Sequence, residues 1–314
     1  MSFQEPPHFD VKKCRLRILA VIVARNEEKF LRRSLESLLD QVVQPSRVIV
    51  VDDRSTDRTA DVAQEYARKD PRIKLVRRVG LSKAEHQTQI PEAFNEGLKF
   101  GTDSWDFLAK VDADIILERD YFQRITEAFV GNSRLGIAGG QTINEPSITV
   151  RGGNRVIRKE CWDEISSRGF MPVMDAEDSY LDLKARYRGW HVQLIPKARS
   201  FHLRPTTEQS TVKILKHRWR IGIACYRFGY HPLLFLGRML KIALLERPRL
   251  ITLIIMSLGW TYAFLIRDKI EEELRQHQRG LQAFRVRKVL GELIRSPLKT
   301  MNKIREAPGH EERT

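Results

Sequence analysis

Two aspartates one residue apart, Asp112 and Asp114, end an apolar stretch near the middle of the chain. The segment from Phe107 to Ile116 reads FLAKVDADII, which predicts a buried strand that carries carboxylates to its C-terminal end. Open α/β sheets bind their ligands at this end of the strands. Because strand side chains repeat every two residues, both carboxylates could approach one divalent cation that carries a diphosphate. The simpler interpretation is a strand followed by an Asp-rich turn without a metal. The neighbouring motifs decide between these two interpretations.

A polar loop, ARNEE at residues 24–28, follows the first predicted strand. The apolar run from Leu16 to Val23 predicts that strand, and the leucine spacing from Glu28 to Gln41 predicts a helix after the loop. The loop could be a plain helix start, because acidic side chains are favourable near a helix N-terminus. It could also line a ligand site, because it lies at the C-terminal end of a strand.

A second predicted strand, Val48 to Asp53, also ends in carboxylates. Its last residues open the motif DDRSTDRT at 52–59, which precedes a predicted helix from about Ala60 to Arg68. The Ser, Thr and Asp side chains of this motif are good helix N-caps, so capping explains part of it. Asp52 is different, since a carboxylate at the end of a buried strand faces the ligand crevice and could accept hydrogen bonds from a base or a ribose.

Further segments add a strand to the predicted sheet, and helices and loops that pack around it. Ile73 to Val76 predicts a short third strand, and Lys83 to Gly97 predicts a helix with Asn95 near its C-terminal end. The role of Asn95 could be purely structural. An amphipathic segment from Arg119 to Phe129 follows, and the less regular stretch from Ile137 to Gly153 predicts loops that cover a site.

Two more candidates come from the segment after these loops. Glu177 and Asp178 begin a predicted helix within Met174 to Trp190, where acids first and bases last would also suit the helix dipole. A strand is predicted from His191 to Pro196, and His202 follows it. An isolated histidine is more often a hydrogen-bonded core or surface residue than a ligand.

The segment KHRWR at residues 216–220 places Arg218 and Arg220 around a tryptophan. A solvated helix face would explain this pattern. A clamp for a diphosphate would explain it too, because Arg binds phosphate oxygens with two parallel N–H groups.

The C-terminal region combines a long apolar run with most of the net positive charge. The run from Leu250 to Ile266 has no charged residue, and a buried core helix, a re-entrant hairpin and a single membrane span are all open. Residues 197–314 contain 24 Lys and Arg against 10 Asp and Glu, so they carry +14 of the formal net charge of +15. Residues 1–196 are thus nearly neutral, whereas residues 197–314 are basic and intermittently apolar. This distribution favours an anionic membrane surface, and not nucleic acid, as the partner.

The remaining composition excludes several classes of protein. With 314 residues the chain is long enough for one large α/β domain and an appendage. Its three cysteines have no CxxC spacing, which argues against a disulfide framework and against a zinc site. The polar N-terminal residues show no export signal, so we expect a cytoplasmic protein. The phosphate loops G-x-G-x-x-G after the first strand and G-x-x-x-x-G-K-[ST] are both missing.

Taken together, the motifs resemble those of family 2 glycosyltransferases. These motifs are, in order, ARNEE, VDDRSTDRT, the A-x-N-x-G of residues 93–97, KVDADI and EDSYLDL. The resemblance covers about residues 16–205 and implies the α/β GT-A fold, a Rossmann-like mixed sheet flanked by helices. We therefore expect an N-terminal extension at 1–15, a GT-A catalytic domain at 16–205 and a basic helical, membrane-associating C-terminal region at 206–314.

The resemblance also implies a role for each matching position. Asp178 is expected to be the general base, and Asp114 to hold Mg2+ or Mn2+ on the diphosphate with His202 as a further candidate ligand. KHRWR is similar to the diphosphate clamp of processive members but lacks their leading Gln. The expected contacts with the nucleotide sugar are Ala24, Asn26, Glu27, Asp52, Asn95, Asp112, Arg218 and Arg220.

The function expected from this resemblance is inverting glycosyl transfer at the cytoplasmic face of a membrane. The donor would be a UDP-, GDP- or dTDP-sugar, and the acceptor a hydroxyl that is lipid-linked or part of a growing glycan. Negative charge that builds on the departing diphosphate would be stabilised by the metal and by Arg side chains. The alternatives are a nucleotidyltransferase, which would be expected to carry a glycine-rich basic loop where this chain has the acidic ARNEE, and an inactive membrane-binding homologue.

Overall fold

The computed structural model describes residues 16–80, 89–101, 104–147, 149–174, 176–204, 211–245 and 249–268. The chain separates into two compact units, Met1–Gln209 and Ser210–Thr314. Each unit is described by itself.

The first unit is built on a mixed sheet whose described strands follow the order β3-β2-β1-β4-β7-β6-β8-β5. β1 pairs in parallel with β2 and β4, and β2 in parallel with β3, whereas β7 is antiparallel to β4 and β6. The strands are β1 Ile18–Ala24, β2 Arg47–Asp53, β3 Ile73–Arg78, β4 Phe107–Asp112, β5 Ile115–Leu117, β6 Leu135–Thr142, β7 Asn154–Arg158 and β8 His191–His202.

Helices flank this sheet and bury its apolar faces. Their own apolar stripes explain why they form, as in α1, where Leu31, Leu35 and Leu38 recur at helical spacing and are fully buried. The helices of this unit are α1 Leu31–Leu39, α2 Thr59–Lys69, α3 Gln89–Leu98, α4 Tyr121–Gly131, α5 Lys159–Ile165 and α6 Glu177–Tyr187. The predicted α/β class, a mixed sheet with flanking helices, is confirmed.

The core lies on the central parallel strands, which are apolar on both faces because helices cover both sides. In β1, Ile18, Leu19 and Ile22 are almost completely inaccessible. Burial of each such side chain contributes roughly 1.5–3 kcal/mol, so this short strand alone anchors the sheet strongly. Phe107 of β4 stacks on Phe129 of α4 with ring centroids 4.7 Å apart.

One predicted element was wrong in a way that matters for the site. The stretch from Phe107 to Ile116 is not one strand, because β4 ends at Asp112 and the chain turns before β5 begins. β5 pairs with β8, with Ile115 opposite His202, and not with a neighbour of β4. The two aspartates therefore come together through a turn, and the alternation of side chains along one strand is not the reason. The predicted strand His191–Pro196 is also longer, since β8 continues to His202.

The second unit contains three described helices, α7 Thr211–Arg227, α8 Pro232–Leu245 and α9 Arg249–Leu265. α7 and α9 approach closely at two glycines, since a Cβ on Gly222 would overlap the carbonyl of Met256 and one on Gly259 the carbonyl of Trp219. A small core of Cys225, Phe235, Met239 and Met256 joins the three helices. Within this part of the chain as described, no helix combines the length and apolarity needed to cross a membrane.

Candidate active site

Three strands deliver candidate residues to one edge of the sheet. β1, β2 and β4 run in parallel, and their register places Ala24 beside Asp52 and Val23 beside Asp112. The carboxyl ends of the three strands therefore meet at the same edge, where open α/β sheets bind ligands. The structure thus brings Ala24, Asp52 and Asp112 together, as the sequence predicted.

The loop after β1 is tied to the loop after β2. Asn26 adopts a left-handed backbone conformation with φ of 56°, which Asn tolerates better than most residues. Its side-chain oxygen accepts a hydrogen bond from the Thr56 backbone N–H at 2.8 Å, and its own N–H donates to the Ser55 hydroxyl at 3.0 Å. Asn26 therefore shapes the loop, and its predicted contact with the nucleotide sugar stays a prediction.

Asp52 lies at the floor of these loops and is 2% exposed. One carboxylate oxygen accepts a hydrogen bond from the Ser55 backbone N–H at 3.3 Å, and the other lies 3.9 Å from the Arg77 guanidinium. The carboxylate is thus held in place, and its oxygens can accept further hydrogen bonds. This suits the predicted recognition of a base or ribose.

Asp114 and His202 meet because the turn after β4 pairs with the end of β8. The Leu203 N–H donates to the Asp114 carbonyl at 2.8 Å, and His202 Nε2 lies 3.2 Å from Asp114 Oδ2. On its other side, His202 Nδ1 lies 2.9 Å from Oε2 of the buried Glu145. The hydrogen bond with Asp114, assisted by the one with Glu145, raises the pKa of His202 to about 9 against the opposing effect of burial.

Arg204 bridges two acidic side chains at the same place. One guanidinium nitrogen lies 2.5 Å from Glu27 Oε1 and 3.0 Å from Asp114 Oδ2. Burial raises the pKa of Glu27 although Arg204 acts in the opposite direction. Burial also disfavours the charged form of Asp114, but His202 and Arg204 outweigh it, so the pKa of Asp114 lies below its usual range.

These residues fit a divalent cation that is shared with a bound diphosphate. Within the described residues, no group of three or more His, Cys, Asp or Glu side chains is arranged to hold an ion by itself. Asp114 and His202 nonetheless face one place, and the second oxygen of Glu27 is buried there without a hydrogen-bond partner among the described residues. Mg2+ is usually held by one or two carboxylates plus substrate phosphates and water, so two protein ligands suffice.

Asp178 approaches Asp112 across a pair of glycines. A Cβ on Gly152 would overlap Asp178 Oδ2, and one on Gly153 would overlap Asp112 Oδ2, so only glycine lets the backbone lie this close to both carboxylates. Asp178 occupies the first turn of α6, after Ala176 in a left-handed conformation with φ of 60°. This conformation is costly for a residue with a Cβ and often marks a functional site.

The two carboxylates differ in how readily they take up a proton. Asp112 is accessible to solvent yet crowded by protein, as expected in a cleft, and burial together with nearby Asp114 and Asp178 raises its pKa to about 6. Burial would raise the pKa of Asp178 too, but the cations Arg155 and Lys110 outweigh it and hold that pKa below its usual range. Asp178 is therefore the more persistently ionised of the two.

Three further predicted contacts with the nucleotide sugar stay predictions. Both polar atoms of the Asn95 amide bind the backbone of Met171, each at 2.8 Å, so Asn95 fastens a loop and its ligand contact stays a prediction. Arg218 is buried on α7 of the second unit and Arg220 is partly buried on the same helix. Their role as a diphosphate clamp also stays a prediction.

Sequence reasoning missed Glu145, Arg204 and the pair Lys110 and Arg155. Glu145 lies in an irregular loop after β6, where no pattern in the sequence marks it. Lys110 did leave a signal, because a charged residue interrupts an otherwise apolar strand and is almost fully buried there. A buried lysine needs a partner of opposite charge, so that residue pointed to an acid nearby.

Comparison with known proteins identifies the family of this chain. A family model described as glycosyl transferase family 2 matches residues 19–176. The uncharacterized glycosyltransferase EpsJ of Bacillus subtilis is 31% identical over 125 residues, which cover 39% of this chain and 33% of that protein. The undecaprenyl-phosphate mannosyltransferase of Micrococcus luteus is 30% identical over 139 residues, which cover 42% of this chain and 54% of that protein. The chain spans about a third or less of the length of the first curated relatives that it matches.

Solved structures show the same fold at low identity. The mannosyltransferase PcManGT from Pyrobaculum calidifontis, in complex with GDP-Man and Mn2+, superposes with a TM-score of 0.57 at 17% identity, covering 86% of this chain and 81% of that one. TarS 1-349 of S. aureus in complex with UDP-GlcNAc gives a TM-score of 0.50 at 17% identity, covering 84% of this chain and 79% of that one. The GT-A fold expected from the motifs is confirmed.

Proposed function

This chain belongs to glycosyl transferase family 2, and we propose that it is an inverting, metal-dependent hexosyltransferase that moves a sugar from a nucleoside diphosphate to an acceptor hydroxyl. The observation that carries the proposal is the convergence of Asp52, Asp112, Asp114 and Asp178 around one sheet edge. Membership of this family favours glycosyl transfer over the nucleotidyltransferase alternative.

In this proposal the donor lies across the ends of β1, β2 and β4. Asp52 accepts hydrogen bonds from the base or ribose, and Asp112 from the ribose. Asp114 and His202 would hold Mg2+ or Mn2+, which would neutralise charge on the departing diphosphate when bound. A solved neighbour of the same fold contains GDP-Man and Mn2+, which supports this assignment of donor class and metal.

Asp178 is the proposed general base. Its carboxylate is ionised and retains 26% side-chain exposure, so an acceptor hydroxyl can reach it. It takes the hydroxyl proton as the acceptor oxygen attacks the anomeric carbon from the side opposite the leaving diphosphate. A single displacement of this kind inverts the anomeric centre.

We further propose that the second unit attaches the enzyme to the cytoplasmic face of a membrane, where the acceptor is a lipid-linked compound or a growing glycan. α9 presents an exposed apolar stripe at helical spacing, while the opposite side of the helix packs inward. Exposed apolar surface of this extent on a soluble monomer is unusual and marks a docking surface. The stripe consists of Leu250, Ile254, Leu258, Tyr262 and Leu265.

Two further observations support a lipid partner. The C-terminal residues 197–314 carry nearly all of the net positive charge, which anionic lipid head groups attract. One curated relative is by name an undecaprenyl-phosphate mannosyltransferase.

The donor assignment is tested by thermal stabilisation. The full chain is melted with UDP-GlcNAc, GDP-mannose or a dTDP-sugar, each with Mn2+ and with EDTA. One donor at 100 times its Kd should add about 2.7 kcal/mol to the free energy of unfolding, and only with the metal present. Failure of every nucleotide sugar to raise the Tm in either condition would refute the proposal.

Membrane attachment is tested by flotation with vesicles of neutral or anionic lipid. We expect full-length protein to float with anionic vesicles, high salt to release the part that is held by charge, and Ile254→Asn to weaken binding. Val79→Asn is the matched control, because Val79 is an exposed apolar residue of the first unit. A monodisperse protein at low salt that never floats would contradict the proposal.

A further inference from the structure

Two cations lie side by side in the middle of the sheet behind the proposed base. Lys110 of β4 and Arg155 of β7 are register partners on adjacent antiparallel strands. Both are almost completely buried. Like charges directly opposite each other destabilise a sheet, and burial of each charge adds a cost. The arrangement therefore requires acids that face both residues.

The first turns of α6 supply those acids. Lys110 Nζ lies 3.0 Å from Glu177 Oε1, and 3.1 Å and 3.2 Å from the two oxygens of Asp178. Arg155 lies 3.4 Å from Asp178 through Nε and 3.1 Å from Asp182 through Nη1. Asp178 and Asp182 are four residues apart, so they share a face of the helix. The cations fix this face on the sheet.

Lys110 contacts Asp178 from the protein side. Its side chain is 6% exposed, whereas Asp178 keeps 26%, so the ammonium group covers the inner side of the carboxylate and leaves the outer side open. Contact with both oxygens restricts rotation of the carboxylate about its last bond. Gly152 lies against the same carboxylate and restricts it from another direction.

We propose that Lys110 is a positioning residue, which holds the Asp178 carboxylate in the orientation needed to take a proton from the acceptor. This inference rests on the proposed function, in which Asp178 is the general base. In this proposal Lys110 touches neither donor nor acceptor, and it affects the reaction through Asp178. Arg155 also compensates the charge of Asp178, but it forms an ion pair with Asp182 as well. Its loss would therefore disturb the whole helix.

The cluster also keeps Asp178 ionised. The charged groups that face Asp178 are Lys110 from β4, Arg155 from β7, Glu177 and Asp182 from its own helix, and Asp112 across the glycine pair. Loss of Lys110 removes one of the two cations, so the pKa of Asp178 should rise. The acid limb of the kcat profile should then move to higher pH.

The test uses hydrolysis of a nucleotide sugar by the full-length protein, in which water takes the place of the acceptor hydroxyl. The donor is whichever of UDP-GlcNAc, GDP-mannose and the dTDP-sugar stabilises the protein with Mn2+. Lys110→Met is combined with Glu177→Gln so that one cation and one acid leave the cluster together. Glu177→Gln alone is the reference, and Lys159→Gln, which breaks an exposed pair with Asp163, is the control for loss of a lysine.

We expect kcat of the double variant to fall about 100-fold below that of Glu177→Gln, the cost of a misplacement of about 1 Å. The KM for the donor should stay within about threefold, because Lys110 does not contact it, and higher pH should restore part of the rate. A kcat within about threefold of the reference, with an unmoved acid limb, would overturn the inference.

A second comparison applies even if the double variant does not fold. Asp178→Asn with Lys110→Met again removes one acid and one cation, and it should hydrolyse donor at the same residual rate as Asp178→Asn alone. A further loss of about tenfold would show that Lys110 acts elsewhere and would overturn the inference. An Asp178→Asn variant with unchanged hydrolysis would refute the base assignment itself, and this inference with it.

Discussion

Replacement of Arg204 by Ala should destabilise the metal-free protein and strengthen its response to Mn2+. Arg204 is the described side chain that neutralises both Glu27 and Asp114, whose own side chains are only 11% and 9% exposed. His202, which is protonated near neutral pH, neutralises Asp114 from the other side. Without Arg204, Glu27 Oε1 joins Oε2 as a buried oxygen without a partner among the described residues.

The size of the effect follows from these burials. Loss of a partner from a buried polar group costs about 1–3 kcal/mol, and the 52% exposure of Arg204 places the value near the middle, at about 2 kcal/mol. For a domain of 150–250 residues this corresponds to a fall in Tm of roughly 4–8 °C in EDTA. Divalent metal should reverse most of this loss of stability, because a bound cation at 100 times its Kd adds about 2.7 kcal/mol to the free energy of unfolding.

The sign of the pH dependence provides a separate check. The folded-state pKa of Glu27 is raised by burial and should rise further without Arg204. A carboxyl group whose pKa is higher in the folded than in the unfolded state contributes its full stability at pH values below its unfolded-state pKa, near 4.3. That contribution is lost as the pH rises through the folded-state pKa. The deficit of Arg204→Ala should therefore be smallest near pH 4 and should grow toward pH 7.

The assay is differential scanning fluorimetry in EDTA and in Mn2+, at pH 4.5 and pH 7. Arg32→Ala is the matched control, because Arg32 forms an exposed pair with Glu65 and its loss should leave the melting temperature close to that of the wild type. The reasoning is refuted if Arg204→Ala melts at the wild-type temperature in EDTA, or if both proteins gain equally from Mn2+.

Three further outcomes are expected. Asp114→Asn should abolish metal-dependent donor binding in a calorimetric titration and leave the circular dichroism spectrum unchanged; an unaltered metal titration would show that Asp114 is not the ligand. Asp178→Asn should reduce sugar transfer or hydrolysis at least 100-fold with donor affinity kept within a few-fold, so loss of donor binding would reassign Asp178 as a donor contact. Tyr121→Phe should cost about 1–3 kcal/mol in urea unfolding, because the buried hydroxyl donates to the Asn154 carbonyl and accepts from the Gly140 N–H at 2.6 Å; an unchanged midpoint would contradict this.

The sequence predicted those parts of the site that depend on local pattern. Asp52 and Asp112 follow runs of apolar residues, and the rule that ligands bind at the ends of parallel strands holds for any such sheet. The start of α6 at Glu177 was predictable for a similar reason, since acids favour a helix N-terminus. These features depend only on residues that are close to one another in the sequence.

Other parts depend on neighbours that are distant in the chain. Glu145 and Arg204 reach the site through pairing of β8 with β5 and β6, and the sequence does not show sheet order. The predicted strand through Asp114 failed for the same reason, because β4 lies in the middle of the sheet between β1 and β7 whereas β5 pairs with β8 at one edge. Asn26 and Asn95 matched motifs, yet their amides bind backbone groups, a use that a motif alone does not distinguish from contact with a ligand.

In the proposed function, the turn between β4 and β5 should make donor recognition more robust than sugar transfer. Asp112 and Asp114 are separated by a single residue, so their Cα atoms cannot lie farther apart than about 7 Å, whatever happens to the packing around them. The spacing between the proposed ribose and metal sites is thus limited by covalent bonds. Asp178, in contrast, reaches Asp112 only through the packing of α6 on the glycine pair and the buried cations. Heating or a distant core substitution should therefore displace the base first, and the protein should still bind its donor under conditions in which it no longer transfers the sugar.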